Sequence, residues 1–513
     1  MDLVLMLDKA VKQYRAKTAI MLNEHRLSYA ALDEASNMIA NALIGMKVKK
    51  GDRVAMLIGN RPEFASVYFG IIKIGAIAVP LDTRYKLTEL ASICGNCRPR
   101  VMISENPVPG LTPAVAPFDF LEQVITVNPA EGFTSYQQIM STSPAGAPGV
   151  SISPEDIATI SYSGGPAVHP KGACITHHSL VTEAALSGKA FHQTAEDVVM
   201  LFALPLYHMY GLSATTLTSI HCGSTVVVVP GTGVSIGSLM ETIEREKGTI
   251  LHAVPYIYAL AAKVARREGI KNDLSSLRLY ISGGAPLSVS TVQQFKQYYG
   301  KTVADIYGLT EAICQVSCPL FDGDDKIGSA GKPLPGFEVR IVDDSGKEVP
   351  ANHSGEIIVK GHIMKRYYNT LQATATAIRN GWLHTGDIGK LDKDGFLFIT
   401  GRKKRMIILK GQNVYPAEIE EVLSTHPSVA ESKVIGVSDR LRGEIVRAFI
   451  RLKPGTEATE PEIRRFCQER MADYRVPREI VFTNALPQTT PARFGEKELK
   501  GYSKLSEMPE FKP

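Results

Sequence analysis

The chain has 513 residues and a mass of 55.8 kDa, which at roughly 150 residues per domain suggests about three folding units. Apolar residues make up 44% and charged residues 21%, the balance of a globular protein that needs no disulfide or metal staple. The formal net charge of +5 is too small for a nucleic-acid binder that relies on a dense basic surface.

Along the chain, residues 3 to 46 read as amphipathic helix with a short strand-like insert. Ser28, ahead of the run from Tyr29, suits a helix start. The segment Met1 to Lys9 has no basic leader and no long apolar core, so the expected compartment is the cytoplasm. Arg53 to Ile58 has a buried-strand pattern, followed by Gly59-Asn60-Arg61-Pro62 and a helix through Ile72. Ala76 to Pro80 is the next strand. The apolar stretch from Ile71 to Pro80 is interrupted by Lys73 and is too short to span a bilayer. Strand patterns recur at Val101 to Ser104, Val198 to Leu204, Ser224 to Val229, Leu251 to Val254 and Leu277 to Ser282. Strands alternating with helices predict a parallel α/β sheet. Residues 135 to 155, rich in Ser, Pro and Gly, predict a loop or weak linker. From Pro333 the texture changes to short alternating strands, such as Val339 to Asp343 and Gly355 to Val359. After Gly401 come the basic run Arg402-Lys403-Lys404-Arg405 and a compact α+β pattern. The expected division is therefore 1–402 and 403–513.

Seven cysteines (Cys94, Cys97, Cys174, Cys222, Cys314, Cys318 and Cys467) form an odd, scattered set, unlike a secreted disulfide framework. Cys94 and Cys97 make a C-x-x-C without a second pair or His cluster. They predict two small apolar residues on a helix rather than a metal or redox site.

Four segments carry chemistry. Tyr162 to Gly172 follows an apolar strand and contains Gly164, Gly165 and Lys171. A Gly-containing loop ending in Lys suits phosphate, because backbone N–H groups approach closely and the ammonium neutralises charge. It does not follow the G-x-x-x-x-G-K-[ST] pattern of the P-loop. Asp305-Ile306-Tyr307-Gly308-Leu309-Thr310-Glu311 places a carboxylate beside a hydroxyl near a strand end, a pairing that can hold Mg²⁺ next to phosphates. Thr385-Gly386-Asp387 reads as an Asp on a tight turn after a strand, where it could accept two ribose hydroxyls. Gly401-Arg402 is followed by Lys410-Gly411-Gln412-Asn413-Val414-Tyr415. Singly, each is equally a turn or a solvated charge.

In this order, the segments resemble those of the adenylate-forming superfamily of acyl-CoA synthetases, amino-acid adenylation domains and firefly luciferase, over nearly the whole chain. Pro205-Leu206-Tyr207-His208-Met209-Tyr210-Gly211 is similar to the family's P-L-F-H-x-x-G segment. Ser282-Gly283-Gly284-Ala285-Pro286-Leu287 is similar to its adenine-cradling strand end. Tyr307 to Glu311 matches Y-G-x-T-E, and Asp387 with Arg402 matches the ribose-binding pair. The resemblance implies a large N-terminal region of mixed sheets flanked by helices, with a small barrel-like part. A small, mobile α+β C-terminal domain would turn about Lys404. It implies ATP and Mg²⁺, a carboxylic acid activated as its adenylate, and coenzyme A as acceptor. A homodimer is left open. By position, Ser163, Gly164, Gly165 and Lys171 would face phosphates, and Gly283, Gly284, Ala285, Pro286, Asp305 and Ile306 adenine. Tyr307 would stack on the adenine ring beside Gly308. Glu311 would hold Mg²⁺, Thr310 would touch the α-phosphate, and His208 would sit beside the acid. The residues Tyr207, Met209, Tyr210 and Leu212 suit an apolar or aromatic acyl chain better than acetate.

Two departures stand out. The family's phosphate loop T-S-G-T-T-G-x-P-K-G is here Ser163 to Gly172, with Gly164, Pro166 and Ala167 at hydroxyl positions and Val168 at a glycine. Pro166 lacks an N–H, and Val168 obstructs close approach of phosphate. Each lost charge-assisted donor costs about 1.5–3 kcal/mol. In the C-terminal motif L-P-x-T-x-x-G-K, Arg493 stands where the family has the lysine that bridges carboxylate and α-phosphate. Three readings follow: an acid–CoA ligase, an adenylating ligase with an amine or carrier-protein acceptor, and a homologue that binds AMP or acyl-adenylate but has lost or altered ATP-dependent adenylation. Because Arg is longer, planar and forked, Arg493→Lys is expected to raise the rate of acid-dependent pyrophosphate release. An unchanged or lower rate would mean that the site is built around arginine.

Overall fold

The strand–helix alternation builds two large sheets. The computed structural model describes residues 1–111, 118–162, 170–229, 235–319, 326–403, 407–439, 442–483 and 486. In the first sheet, Ala304–Asp305, Leu279–Ser282, Ile250–Ala253, Val198–Phe202, Thr225–Val229 and Thr18–Leu22 lie side by side in parallel. His25–Ser28 closes the edge as an antiparallel hairpin, so the insert expected near the N-terminus is two strands. The second sheet runs Arg366–Tyr367, Gly172–Thr176, Ile157–Tyr162, Ile77–Pro80, Arg53–Leu57, Val101–Ser104, Gln123–Thr126 and Thr134–Ser135. Its first two pairings are antiparallel and the remainder parallel. The strands Ile77–Pro80, Val101–Ser104 and Thr225–Val229 are buried at every position, which explains their continuous apolar sequence.

The helices Tyr29–Gly45 and Glu63–Lys73 pack between these layers. Ser28 caps the first by accepting from the Ala31 N–H, as its position predicts. A Cβ on Gly70 would lie 2.5 Å from the Ile39 side chain, so the two helices approach at a glycine. Lys73, which breaks the apolar run, is 3% exposed and donates to Asp33 at 2.5 Å and Asn37 at 2.7 Å. The stretch expected to be a loop from 135 to 155 begins with a helix, Tyr136–Thr142. A capping box between Ser135 and Gln138 starts it, and Ile139 is buried beneath it. Cys94 and Cys97 lie buried on the helix Leu87–Cys97. Among the described residues, no helix is long and apolar enough to cross a membrane.

From Glu338 onward the alternation shortens into an antiparallel sheet of Glu338–Val342, Gly355–Lys360, Trp382–Leu391, Ile378–Arg379 and Leu397–Arg402. After residue 407 comes a separate sheet of Gln412–Val414, Ile407–Leu409, Gly443–Leu452, Val429–Asp439 and Glu479–Phe482. Helices Pro416–Ser424 and Glu460–Gln468 pack on it, and it has its own core around Leu409, Leu423, Val446 and Ile463.

This C-terminal unit sits on the N-terminal part through a buried ion trio. Arg475 Nη1 donates to Glu89 Oε1 at 2.9 Å and to Glu418 Oε2 at 2.8 Å, and all three side chains are at most 5% exposed. Nearby, Thr88 Oγ1 donates to the Arg470 carbonyl at 2.9 Å, and the Arg84 guanidinium lies 4.4 Å from the Tyr474 ring centre. One guanidinium cannot neutralise two carboxylates. Burial accordingly pushes Glu418 up to about 8 and raises Glu89 as well.

Removing one member of a buried ion set costs about 3–5 kcal/mol. Arg475→Ala is expected to undock the C-terminal unit, read as a larger radius of gyration in small-angle scattering. An unchanged radius would contradict the assignment. Burial raises the Glu418 pKa in the docked arrangement, so docking is expected to be coupled to proton uptake. The docked arrangement is expected to be most favoured below the ordinary carboxylate range and to weaken as pH rises through about 8.

Candidate active site

A cleft of about 510 Å³ opens where the C-terminal ends of the first sheet meet the strand Trp382–Leu391. The strand Leu279–Ser282 delivers Gly283, Gly284, Ala285 and Pro286 to its rim, and the last three line it. A Cβ on Gly283 would lie 2.8 Å from Ile306, so this glycine lets the two strand ends close up. Gly284 has φ +79°, and a Cβ there would find its nearest atom at 3.8 Å, so it leaves an open cradle. Asp305 sits in register with Ser282 on the neighbouring strand. Burial raises the pKa of its carboxyl well above the ordinary value, and its Oδ1 has no hydrogen-bond partner. An unpartnered acceptor on a cleft wall fits a ligand N–H.

Tyr307, Asp387 and Arg402 form one network. The Tyr307 hydroxyl donates to Asp387 Oδ2 at 2.8 Å, and Arg402 Nε lies 2.6 Å from Asp387 Oδ1. The expected tight turn around Asp387 is instead part of the continuous strand Trp382–Leu391, in which Gly386 takes φ +73° and Asp387 pairs with Arg402 across the ladder. The pairing of two strands brings carboxylate and guanidinium together, so no turn is needed. The lone Trp382 stacks under Arg340, 4.6 Å from the ring centre.

Thr310 and Glu311 project from a single helical turn, Thr310–Ala312. The backbone beyond it is strained: Ile313 has φ +67° and Cys314 φ +138°. Two contacts hold it there. A Cβ on Gly308 would lie 1.4 Å from the Cys314 carbonyl, so only glycine allows the loop to fold back. Buried Glu183 accepts from the Gln315 N–H at 3.1 Å, and burial pushes its carboxyl up to about 8.

His208 reaches the cleft from the loop before a π-helix, Tyr210–Leu217. Hydroxyls of Thr215, Thr216 and Thr218 donate to carbonyls five residues back and support the wide turn. Asn60 pins the loop by donating to the Leu204 carbonyl at 2.7 Å and accepting from the Leu206 N–H at 2.8 Å. Burial lowers the His208 pKa, so the ring is uncharged near neutral pH.

The C-terminal unit completes the mouth. Gly411 and Tyr415 line the cleft, and Lys410, Gly411 and Gln412 line a narrower adjoining channel with Pro80, Arg84, Tyr207 and Tyr474. The two cavities share His208, Tyr210, Gly284, Thr310 and Gly411. Gly411 has φ +81°, and a Cβ on it would lie 2.5 Å from Val254. Arg84 spans the channel wall: it grips Asp82 at 2.9 and 2.7 Å and donates to the Tyr207 hydroxyl at 3.0 Å.

Of the residues singled out in the sequence, Ala285, Pro286, Gly284, Asp305, Ile306, Tyr307, Gly308, Thr310, Glu311, His208, Asp387 and Arg402 all line this cleft. Lys171 follows the loop between the strands Ile157–Tyr162 and Gly172–Thr176, with its Nζ 5.8 Å from the Tyr367 ring centre. Ser163, Gly164, Gly165, Lys404 and Arg493 lie outside the described residues. Sequence reasoning missed Asn60, Arg84, Tyr367 and Tyr474. Each contacts a group distant in sequence, so no local spacing marks it.

Residues 7–368 match the model of the AMP-binding enzyme family, and residues 418–493 match that of the AMP-binding enzyme C-terminal domain. The indoleacetate–CoA ligase of Aromatoleum aromaticum is 32% identical over 98% of both chains. The solved anthranilate CoA ligase AuaEII, in complex with anthranoyl-AMP, has a TM-score of 0.74 at 30% identity, covering 99% of this chain and 98% of that one. The amide bond synthetase McbA of Marinactinospora thermotolerans has a TM-score of 0.85 at 26% identity, covering 95% and 97%. With both family models placed in order along one chain, and its own cleft built from the motifs they share, this protein belongs to the AMP-binding enzyme family of adenylate-forming enzymes.

Proposed function

We propose that the chain joins an apolar or aromatic carboxylic acid to coenzyme A in two steps at one site. A carboxylate oxygen attacks the α-phosphorus of ATP, and pyrophosphate leaves. The thiol sulfur of coenzyme A then attacks the acyl carbon. The thiol proton is lost, and AMP departs with the oxygen that came from the acid. The observation that carries this reading is the pair of joined cavities. One presents the unpartnered Asp305 acceptor, the Asp387–Arg402 pair and Glu311; the other is lined by His208 and Arg84 on one side and by Lys410, Gly411 and Gln412 of the C-terminal unit on the other.

The roles follow from the chemistry of each group. Gly284 and Asp305 receive adenine, with Asp305 Oδ1 accepting from its amine. Tyr307, held by its hydroxyl on Asp387, presents its ring to the base. Asp387, supported by Arg402, accepts the ribose hydroxyls. Thr310 and Lys171 meet phosphate, together with Ser163, Gly164 and Gly165. The reaction is in-line displacement, so positioning and charge stabilisation carry it. Uncharged His208 orients the acid without trapping it in an ion pair. Arg493 supplies positive charge between carboxylate and phosphate. The division at 402/403 and a hinge at Lys404 let the C-terminal unit exchange Arg493 for the Lys410–Gln412 segment between steps.

Among the described residues no three His, Cys, Asp or Glu side chains gather to hold a metal. Glu311 alone, beside Thr310, fits Mg²⁺, which takes few protein ligands and keeps phosphate and water. When bound it neutralises charge on the phosphates. The likeness to an amide bond synthetase supports a second reading, in which an amine replaces the thiol.

Incubation with ATP, Mg²⁺ and a panel of aromatic and aliphatic acids is expected to release pyrophosphate, with thioester forming only when coenzyme A is present. Amide formed from added amines, without thioester, would favour the second reading. No release with any acid would overturn both. Asp387→Ala is expected to weaken AMP binding at least about tenfold by calorimetry, because a charged partner of Arg402 and Tyr307 is lost. Gly411→Leu cannot seat against Val254. It is expected to slow acyl transfer from a synthetic acyl-adenylate about a hundredfold while sparing adenylation. Equal loss in both steps would place Gly411 elsewhere in the mechanism.

A further inference from the structure

Tyr367 contacts two charged groups, the one assigned to Mg²⁺ and the one assigned to phosphate. Its hydroxyl donates to Glu311 Oε1 at 2.8 Å, and Lys171 Nζ stands over its ring, 5.8 Å from the centre. The backbone fixes it from two sides. The strand Arg366–Tyr367 pairs with Ala173 and Cys174 on the strand that leaves the phosphate loop, and the Tyr368 N–H donates to the Gly172 carbonyl at 2.7 Å. The Met364 N–H donates to the Glu311 carbonyl, also at 2.7 Å. Tyr367 is 6% exposed and lines the cleft.

We propose that Tyr367 is a positioning residue for adenylation: its hydroxyl orients the Glu311 carboxylate toward Mg²⁺, and its ring face steadies the Lys171 ammonium. Its edge and its face bind opposite charges, which suits a ring placed between two groups that must meet one polyphosphate. The proposal rests on the reading of Glu311 as the Mg²⁺ ligand. It predicts a separation between half-reactions, because pyrophosphate and its metal have left before acyl transfer begins. A side chain that only packs would affect both alike.

The test uses Tyr367→Phe, which keeps the ring and removes the donor. Calorimetry with α,β-methylene-ATP, with and without Mg²⁺, is expected to show that the Mg²⁺-dependent gain in affinity falls about tenfold. AMP affinity stays at the wild-type level. Pyrophosphate release slows by at least the same factor, while acyl transfer from a synthetic acyl-adenylate to coenzyme A is unchanged. Glu311→Gln alone reproduces the loss of Mg²⁺ dependence, and adding Tyr367→Phe to it has no further effect. An undiminished Mg²⁺ dependence, a parallel fall in AMP affinity or acyl transfer, or an additive loss in the Glu311→Gln background would overturn the proposal. If the wild-type protein binds the Mg²⁺ analogue complex but releases no pyrophosphate with any acid, the functional reading fails. The binding arm still decides the role of Tyr367.

Discussion

A single guanidinium, Arg475, is shared by a carboxyl group from each side of the boundary between two folded units, and the geometry of the site follows from that sharing. Docking through Glu89 and Glu418 brings the Lys410–Gln412 segment over the cleft. The segment fits only because Gly411 has no side chain to meet Val254. Once seated, it divides the space at His208 into a wide cleft and a narrow channel. The trio carries one cation and two acids, and burial raises the pKa of both carboxyl groups.

Burial sets the charge state of the remaining site. His208 is kept neutral, and Asp305 and Glu183 are raised toward their protonated forms. Two cations are held in place at the edge of the site, Lys171 over the Tyr367 ring and Arg402 against Asp387. The strained turn at Ile313 and Cys314 is held by Glu183 from outside the cleft, so the Thr310–Glu311 turn need not relax when substrate is absent. Catalysis by positioning requires such rigidity.

Much of the architecture was legible in the chain. Apolar runs such as Val101–Ser104 and Thr225–Val229 mark parallel strands because both faces are covered. Strand-end motifs such as Ser282 to Leu287 and Tyr307 to Glu311 mark the cleft because ligands of such sheets bind at the ends of strands. Local signals failed at three kinds of place. The helix Tyr136–Thr142 was hidden in a Ser- and Pro-rich stretch, although Ser135 and Gln138 carry its cap. The Asp387 strand looked like a turn because Gly386 interrupts the alternation, while its pairing with Leu397–Arg402 is not visible locally. Tyr367, Asn60 and Arg84 gave no sign at all. Their partners lie 56, 144 and 123 residues away, and only the fold brings them together.

If the acid is activated as its adenylate, one of its oxygens passes to AMP. This transfer is tested most directly by supplying an ¹⁸O-labelled carboxylic acid with ATP, Mg²⁺ and coenzyme A, then weighing the products. One labelled oxygen is expected in each AMP formed and one in each thioester. Label in phosphate or pyrophosphate, or thioester formed with unlabelled AMP, would contradict it.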